Sequence, residues 1–424
     1  MAEKAGGRVY FVGGFVRDGV MGRESKDVDI EIHGMAADAV RKMLGEIGPW
    51  KEMGASFGVF ALRGYTLDIA LPRCGGGKGE DADIDPFMGV EEAARRRDFT
   101  MNAMMRDALT GALIDLFGGQ ADIQNRVIRH VDEETFRRDP LRAIRAAQLA
   151  ARLEFAIAPE TMALCRTLDL GGLARERVMG EMEKALTRSK RPSRCFEALR
   201  EMGQLEPWLK EVAALIGVKQ RADCHPEGDA WTHTMLVVDE AAKLRDEAKN
   251  PTGLMLAALL HDVGKAAAMQ EKDGVIHAYG HETAGVPLAE DFLRRLTGEK
   301  ALCRYVLNMV ELHMKPNMYA AQNSGQKAWN RLFDRSACPE DLLLLAKADH
   351  RGRINAAPYA ETERTIRARL SAYEEMMARP HITGADLLAR GIQPGEEMGR
   401  LLEEAHRLRL AGVKKEDALR QMRL

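Results

Sequence analysis

Asp27-Val28-Asp29-Ile30-Glu31-Ile32 decides how the first third of the chain is read. Acid and aliphatic residues alternate, which predicts a half-buried strand, because successive strand side chains point to opposite faces. Val28, Ile30 and Ile32 then face a core, and Asp27, Asp29 and Glu31 share the other face. Two carboxylates two residues apart on one face can hold a pair of Mg2+ ions against a nucleoside triphosphate. One ion lowers the pKa of an attacking hydroxyl; the other holds the phosphates and the departing pyrophosphate. A plain polar strand face carries the same pattern, so the surroundings decide.

Upstream, Val9–Val12 is a short apolar run ending in Gly13-Gly14, which predicts a strand and a tight turn. Gly13-Gly14-Phe15-Val16-Arg17-Asp18 then opens a helix. Glycines let backbone N–H groups approach phosphate, a helix N-terminus favours anions, and Arg17 can add charge-assisted bonds. Downstream, Ala36–Ile47 reads as a helix and Thr66–Leu71 as a second alternating strand. Asp68 on that strand is either a third acid or part of a polar face. Arg73–Glu80, with four glycines, is expected to be a mobile loop. Gly75-Gly76-Gly77-Lys78-Gly79 is not a phosphate loop, since no Ser or Thr follows the lysine. Arg95-Arg96-Arg97-Asp98-Phe99-Thr100-Met101-Asn102 suits a ribose and triphosphate cradle.

From Pro140 onward strand signals fade and helical patterns run to the C-terminus. Pro140 stands where a first helical turn tolerates it. Breaks are expected near residue 130, at 221–229 and at 380–384. At 424 residues, several domains are expected. Aromatics make up 5%, which argues against single-strand recognition mainly by stacking. The formal net charge is −2, so nucleic-acid contact must come from local basic patches such as Arg188, Lys190, Arg191 and Arg194. No apolar run has the length of a membrane span or signal peptide, and a cytoplasmic location is expected. The six cysteines, Cys74, Cys165, Cys195, Cys224, Cys303 and Cys338, form no CxxC and are expected to be reduced, packed thiols.

The succession GGxVRD, DxD, RRDFTxNA and DPLRxxR resembles the class II tRNA nucleotidyltransferase and bacterial poly(A) polymerase family over about residues 8–220. The resemblance implies an α+β fold: a small head of mixed sheet and helices, related to DNA polymerase β, followed by an all-α neck and body. It implies that Gly14 and Arg17 touch the triphosphate, that Asp27 and Asp29 bind Mg2+ and catalyse, and that Arg97, Asp98 and Asn102 meet the ribose and phosphates. Asp139 and Arg142, three apart on a helix, share a face. A carboxylate that accepts from an exocyclic amino group, beside a guanidinium that donates to a ring nitrogen, suits cytosine and adenine but not uracil or guanine. Arg145 reaches the base or the phosphate. Two positions depart from the family: Arg138 stands where Glu is usual, and Gly75 where an acid is usual.

Further on, Leu259-Leu260-His261-Asp262-Val263-Gly264-Lys265 sets adjacent His and Asp after an apolar helix. A buried divalent metal wants imidazoles and carboxylates converging from different helices. With His233 upstream and His281, His313 and Asp349 downstream, this resembles the HD phosphohydrolase superfamily over about residues 225–355. The resemblance makes His233, His261, Asp262 and Asp349 the primary ligands of a divalent transition metal of unassigned identity. His281 and His313 are candidates for a second metal or the phosphate. Lys265 either neutralises phosphate or is a surface lysine; His225 and His277 are set aside.

Four segments are therefore expected: a nucleotidyltransferase head at 1–130, a helical neck and body for base selection and RNA binding at 131–222, an HD domain at 223–375 and a helical tail at 376–424. The expected function is addition of C, C and A to tRNA 3′ ends from CTP and ATP, with HD-type phosphohydrolysis. An A-adding enzyme or poly(A) polymerase shares the same motifs. From another class, an HD phosphohydrolase whose head only binds RNA remains open. Oligomeric state is not legible.

Overall fold

A computed structural model describes the chain apart from residues 26, 53–57, 74–83, 222, 224 and 273–274. The glycine-rich loop, including Gly75, and Cys74 and Cys224 thus lie outside the described residues. The chain divides into two compact units, one of residues 1–185 and 194–207, the other of 186–193 and 208–424.

The N-terminal unit is built on a mixed sheet: β1 (Arg8–Val12), β2 (Val28–His33), β3 (Trp50–Glu52), β4 (Val59–Leu62), β5 (Leu67–Ala70), β6 (Met105–Asp107) and β7 (Leu113–Ile114). The strand order is β3-β4-β5-β2-β1-β6-β7. β2 lies between antiparallel β1 and parallel β5, and Asp29 pairs in register with Asp68. The helices are α1 (Gly13–Val20), α2 (Ala37–Ile47), α3 (Val90–Arg95) and α4 (Thr100–Ala103). Ile32, Phe60 and Ile69 of the sheet bury against Val40 and Leu44 of α2. Tyr10, Val12 and Met105 pack with Ala93 and Ala94 of α3. Burying these aliphatic faces stabilises the sheet by roughly 25 cal/mol per Å² of apolar surface removed from water, and it fixes the register that lines up the β2 acids. The rest of the unit is mainly helical; helix Leu141–Leu153 buries ten of its thirteen residues.

Strands β3, β4, β6 and β7 are not apparent from sequence pattern. They are two to four residues long, too short to show alternation. The second unit also holds a hairpin, Gln270–Lys272 against Val275–His277, where helices alone were expected; Gln-Glu-Lys offers no apolar alternation to reveal a strand.

The second unit is otherwise helical. Helix Pro251–Leu260 is apolar on all sides, and Leu254 through Leu260 are completely buried, so it forms the core. Helices Ala230–Leu244, Lys300–Leu312 and Pro339–Arg351 pack against it, and His281–Leu296 packs on Lys300–Leu312. A small core of Ile382, Leu387, Ala405 and Ala418 holds the last forty residues. Cys165, Cys195 and Cys338 are buried free thiols and Cys303 a half-buried one. No helix among the described residues is long and apolar enough to cross a membrane.

Two candidate active sites

In the first unit the acids of β2 meet the glycine turn. Gly13 has φ +66°, a left-handed conformation that favours glycine. A Cβ placed there would stand 3.6 Å from both Asp29 Oδ2 and Arg97 Nη1. Bare backbone, a carboxylate and a guanidinium therefore converge. Beside them lies a cavity of about 410 Å³ lined by Asp29, Glu31, Asp68, Arg73, Arg96 and Arg97, among others, within the range of small-molecule sites. Burial and the neighbouring Asp68 raise the Asp29 pKa, against the pull of Arg97. Crowded acids of this kind fit a divalent cation. Asp27 is exposed just before β2. The head carboxylates do not form a tight triad among the described residues; the groups of three close ligand atoms all lie in the second unit.

Glu31 sits on the Asp29 face yet is buried, contrary to a plain open polar face. Its carboxylate accepts from Arg97 Nη2 at 2.8 Å and pairs with His33 Nε2 at 2.8 Å. Burial pushes its pKa up, but Arg97 and His33 outweigh that and lower it. Glu31 is thus a strut that holds Arg97 beside Asp29. His33, the next residue of the same face, was missed; continuing the alternation by two positions would have found it.

The other head residues form a buried network. Arg17 donates to Asp18 Oδ1 at 2.8 Å and to Asn102 Oδ1 at 2.9 Å. Asn102 Nδ2 donates to Asp98 Oδ1 at 2.9 Å, and Arg145 Nε to Asp98 Oδ2 at 2.9 Å. Arg145 also reaches Glu181 at 3.1 Å. Arg17 and Asn102, named for phosphate and ribose, are therefore engaged inside the protein, and Gly14 lies against the Arg17 guanidinium. Asp139 does not share a helix with Arg142 as expected: it stands just before helix Leu141–Leu153, which begins after Pro140, and its carboxylate accepts from Arg177 Nη1 and Nη2 at 3.1 and 2.7 Å. Arg142 donates to the carbonyls of Thr135 and Arg96. Arg177 and Glu181 were missed because nothing local in their helix marks them. Arg138 pairs with Glu134 on the surface.

Asp98 gives a pH signature. Burial pushes its carboxyl up, but Arg145 and the Asn102 hydrogen bond outweigh this and hold it at about 2 instead of the ordinary 3.8. The folded value is depressed, so the unfolded chain takes up the proton first as pH falls. The gap, about 2 kcal/mol of stability, is present above the ordinary value and is lost as pH falls from about 4 toward 2. Asp98→Asn is expected to be less stable than the parent at pH 6, with the difference shrinking toward pH 3. Guanidinium unfolding curves at pH 6, 5, 4 and 3 check this; a difference that does not change with pH contradicts it.

In the second unit all six expected ligands meet. His233 Nε2 lies 3.1 Å from Asp349 Oδ1 and 3.7 Å from Asp262 Oδ2. His261 Nε2 lies 3.1 Å from Asp262 Oδ2. On the other side, Asp262 Oδ1 lies 3.1 Å from His281 Nε2 and 3.8 Å from His313 Nε2. The two oxygens of Asp262 thus face two histidine pairs. Nδ1 of His261, His281 and His313 lies 2.7–2.8 Å from the carbonyls of Ala258, Ala278 and Val310. This places the proton on Nδ1 and leaves Nε2 as the lone-pair donor. His261 Nε2 and Asp349 Oδ2 are buried without a hydrogen-bond partner. Buried lone pairs without a hydrogen-bond partner, of this kind, fit metal ions. Asp262 and Asp349 are held well below the carboxylate range: burial opposes this, but His261 and Lys265 act on Asp262, and His233 and Arg353 on Asp349.

Gly264 explains the glycine of the motif: a Cβ there would stand 2.0 Å from the His281 carbonyl. Lys265 reaches Asp262 Oδ2 at 2.6 Å and is buried. His225, set aside in the sequence, shares Glu227 with His233, both at 2.8 Å. Glu227 was missed because its turn carries no regular pattern.

The Poly A polymerase head domain matches residues 9–129, a probable RNA and SrmB-binding site of polymerase A matches 154–216, and the HD domain matches 230–372. The chain is 36% identical to the multifunctional CCA protein of Burkholderia cenocepacia (strain HI2424), over 96% of this chain and 98% of that one. It is 33% identical to the multifunctional CCA protein of Actinobacillus pleuropneumoniae serotype 5b (strain L20) over the same shares. Among solved structures, the Bacillus stearothermophilus CCA-adding enzyme in complex with CTP has a TM-score of 0.65 at 24% identity, covering 97% of this chain and 90% of that one. A CCA-adding enzyme complex with ATP has a TM-score of 0.67 at 19% identity, covering 99% and 92%. At these identities the solved structures speak for the fold.

Proposed function

The chain belongs to the multifunctional CCA protein family, and from that premise we propose that it adds C, C and A in turn to tRNA 3′ ends from CTP and ATP, releasing pyrophosphate. The observation that carries this reading is the meeting of Asp29, Arg97 and the bare Gly13 backbone beside a cavity that Asp29 and Arg97 line. Asp27 and Asp29, with Asp68 alongside, would hold Mg2+, which when bound would lower the pKa of the RNA 3′-hydroxyl and offset the triphosphate charge. Glu31 keeps Arg97 aimed at the phosphates. Gly13 and Gly14 let the triphosphate approach the main chain, and the α1 N-terminus favours its charge. The Arg17–Asn102–Asp98–Arg145 network ties this site to helix Leu141–Leu153, which bears Arg142 and Arg145 and which Asp139 shortly precedes. Asp139 and Arg142 read the amino-plus-acceptor edge shared by cytosine and adenine. For that, Arg177 releases Asp139, and Arg142 exchanges its carbonyl partners for the base.

We assign the tRNA grip to residues 131–222, the transfer head to 1–130, hydrolysis to 223–375 and a tail to 376–424; the protein acts in the cytoplasm. The second activity is hydrolysis of phosphoesters, with 2′,3′-cyclic phosphates and 2′-nucleotides as substrates. His233, His261, Asp262 and Asp349 would hold one divalent transition metal, and His281 and His313, which face the other Asp262 oxygen, would hold a second. Such metals activate water at neutral pH.

The test uses tRNAs ending before C, before CC and before A, with each nucleotide given separately. Expected are one addition from CTP on the tRNA that lacks CA, two on the tRNA that lacks CCA, and one from ATP on the tRNA that lacks only A. Asp139→Ala is expected to raise UTP and GTP use at least about tenfold relative to CTP, since the acceptor of the amino proton is gone. Unchanged selectivity across the four nucleotides would remove Asp139 from the base reader.

A further inference from the structure

Beside the His–Asp centre lies a cavity of about 440 Å³ whose lining mixes two kinds of residue. Asp262, His281 and Asp349 line it with Lys265, and so do Met269, Met314, Met318, Ile276, His277 and Tyr279. Tyr279 is the unusual member of the lining. The chain has 7 tyrosines in 424 residues, yet this one is 82% exposed. Its ring stacks on His277 with centroids 4.8 Å apart and planes 15° from parallel. The strand pair Gln270–Lys272 and Val275–His277 carries that histidine, with His277 opposite Gln270. One face of Tyr279 is therefore backed by an imidazole and the other is left open.

A simple phosphomonoester needs the histidine, carboxylate and lysine residues of this cavity but not an apolar, aromatic lining. A flat aromatic group does need it: stacking of a base on an aromatic side chain is worth about 1–3 kcal/mol whatever the base. The volume suits a nucleoside phosphate. We propose that Tyr279, seated on His277, is the stacking platform for the nucleobase of the substrate, so that this centre prefers nucleotides over phosphoesters without a base. The proposal rests on reading the His–Asp centre as a phosphohydrolase and adds the residue that sets its specificity. In the reaction, water oxygen bonds to phosphorus, the P–O bond to the ribose oxygen breaks, and that oxygen takes up a proton.

The test is steady-state hydrolysis by the full-length, metal-loaded chain of adenosine 2′-monophosphate and of glycerol 2-phosphate, which lacks a base. Calorimetric binding of adenosine 2′-monophosphate is measured in parallel. Tyr279→Ala is expected to lower the ratio of kcat/KM for the nucleotide to that for glycerol 2-phosphate about tenfold, mainly through KM. Tyr279→Phe, which keeps the ring, is expected to keep the ratio. An unchanged ratio in Tyr279→Ala, or a ratio lost equally in Tyr279→Phe, overturns the platform. If the parent hydrolyses neither compound but loses nucleotide binding in Tyr279→Ala, the hydrolase reading fails while the platform stands. If Tyr279→Ala binds the nucleotide as the parent does, the platform is overturned.

Discussion

Asp29→Ala is expected to reduce nucleotide addition at least about 10³-fold while leaving tRNA affinity within about twofold. The reason lies in what surrounds the carboxylate. Asp29 is half-buried, its register partner across β2 and β5 is Asp68, and Asp27 stands just before the strand. Burial and these acids disfavour its charge; only Arg97 favours it. Such a site is held ready for a cation rather than for stability. Removing the anion relieves repulsion, so the variant is expected to melt no lower than the parent, which separates lost chemistry from lost folding. Primer extension, filter binding and a melting curve on one preparation check this. Near-normal incorporation would remove the β2 acids from the transfer site.

Asp262→Ala is expected to abolish metal-dependent phosphoester hydrolysis and to empty the second site of metal, while nucleotide addition stays within about twofold. Asp262 is the residue both histidine pairs face, one through each oxygen. Asp349 lies within 4 Å of His233 and His261, and Glu227 within 4 Å of His233, but among the described residues neither forms an ion pair with His281 or His313 as Asp262 does. The carboxylate is buried beside Lys265 at 2.6 Å, and breaking a buried pair of this kind costs about 3–5 kcal/mol. Metal loss destabilises further. A melting curve must therefore accompany the assay, and His313→Ala, which spares the Lys265 pair, serves as the milder variant. A well-folded variant that lost addition but kept hydrolysis would overturn the division of labour between the units.

Where sequence was informative, it was because chemistry and period coincide. Asp-Val-Asp-Ile-Glu-Ile carries strand alternation and a carboxylate pair in the same six residues. Leu259–Lys265 couples a fully buried helix to its ligands, and Gly264 is required by a 2.0 Å approach. The α+β class and the meeting of all six second-unit ligands follow from such stretches. Partners across the fold were not legible. Arg177 lies 38 positions from Asp139, and Glu181 lies 36 from Arg145. His225 looked idle because its partner Glu227 sits in an irregular turn. The short strands carry no periodicity to find, and the polar strand Gln270–Lys272 reads as surface helix or loop.

The most direct test is the sequence of RNA 3′ ends after the chain has acted on tRNA lacking its last three nucleotides, with all four nucleoside triphosphates present at equal concentration. One product is expected, three nucleotides longer and ending in CCA, with uridine and guanosine absent. A run of adenosines, a single adenosine, or unextended tRNA would contradict the assignment of CCA addition to this chain.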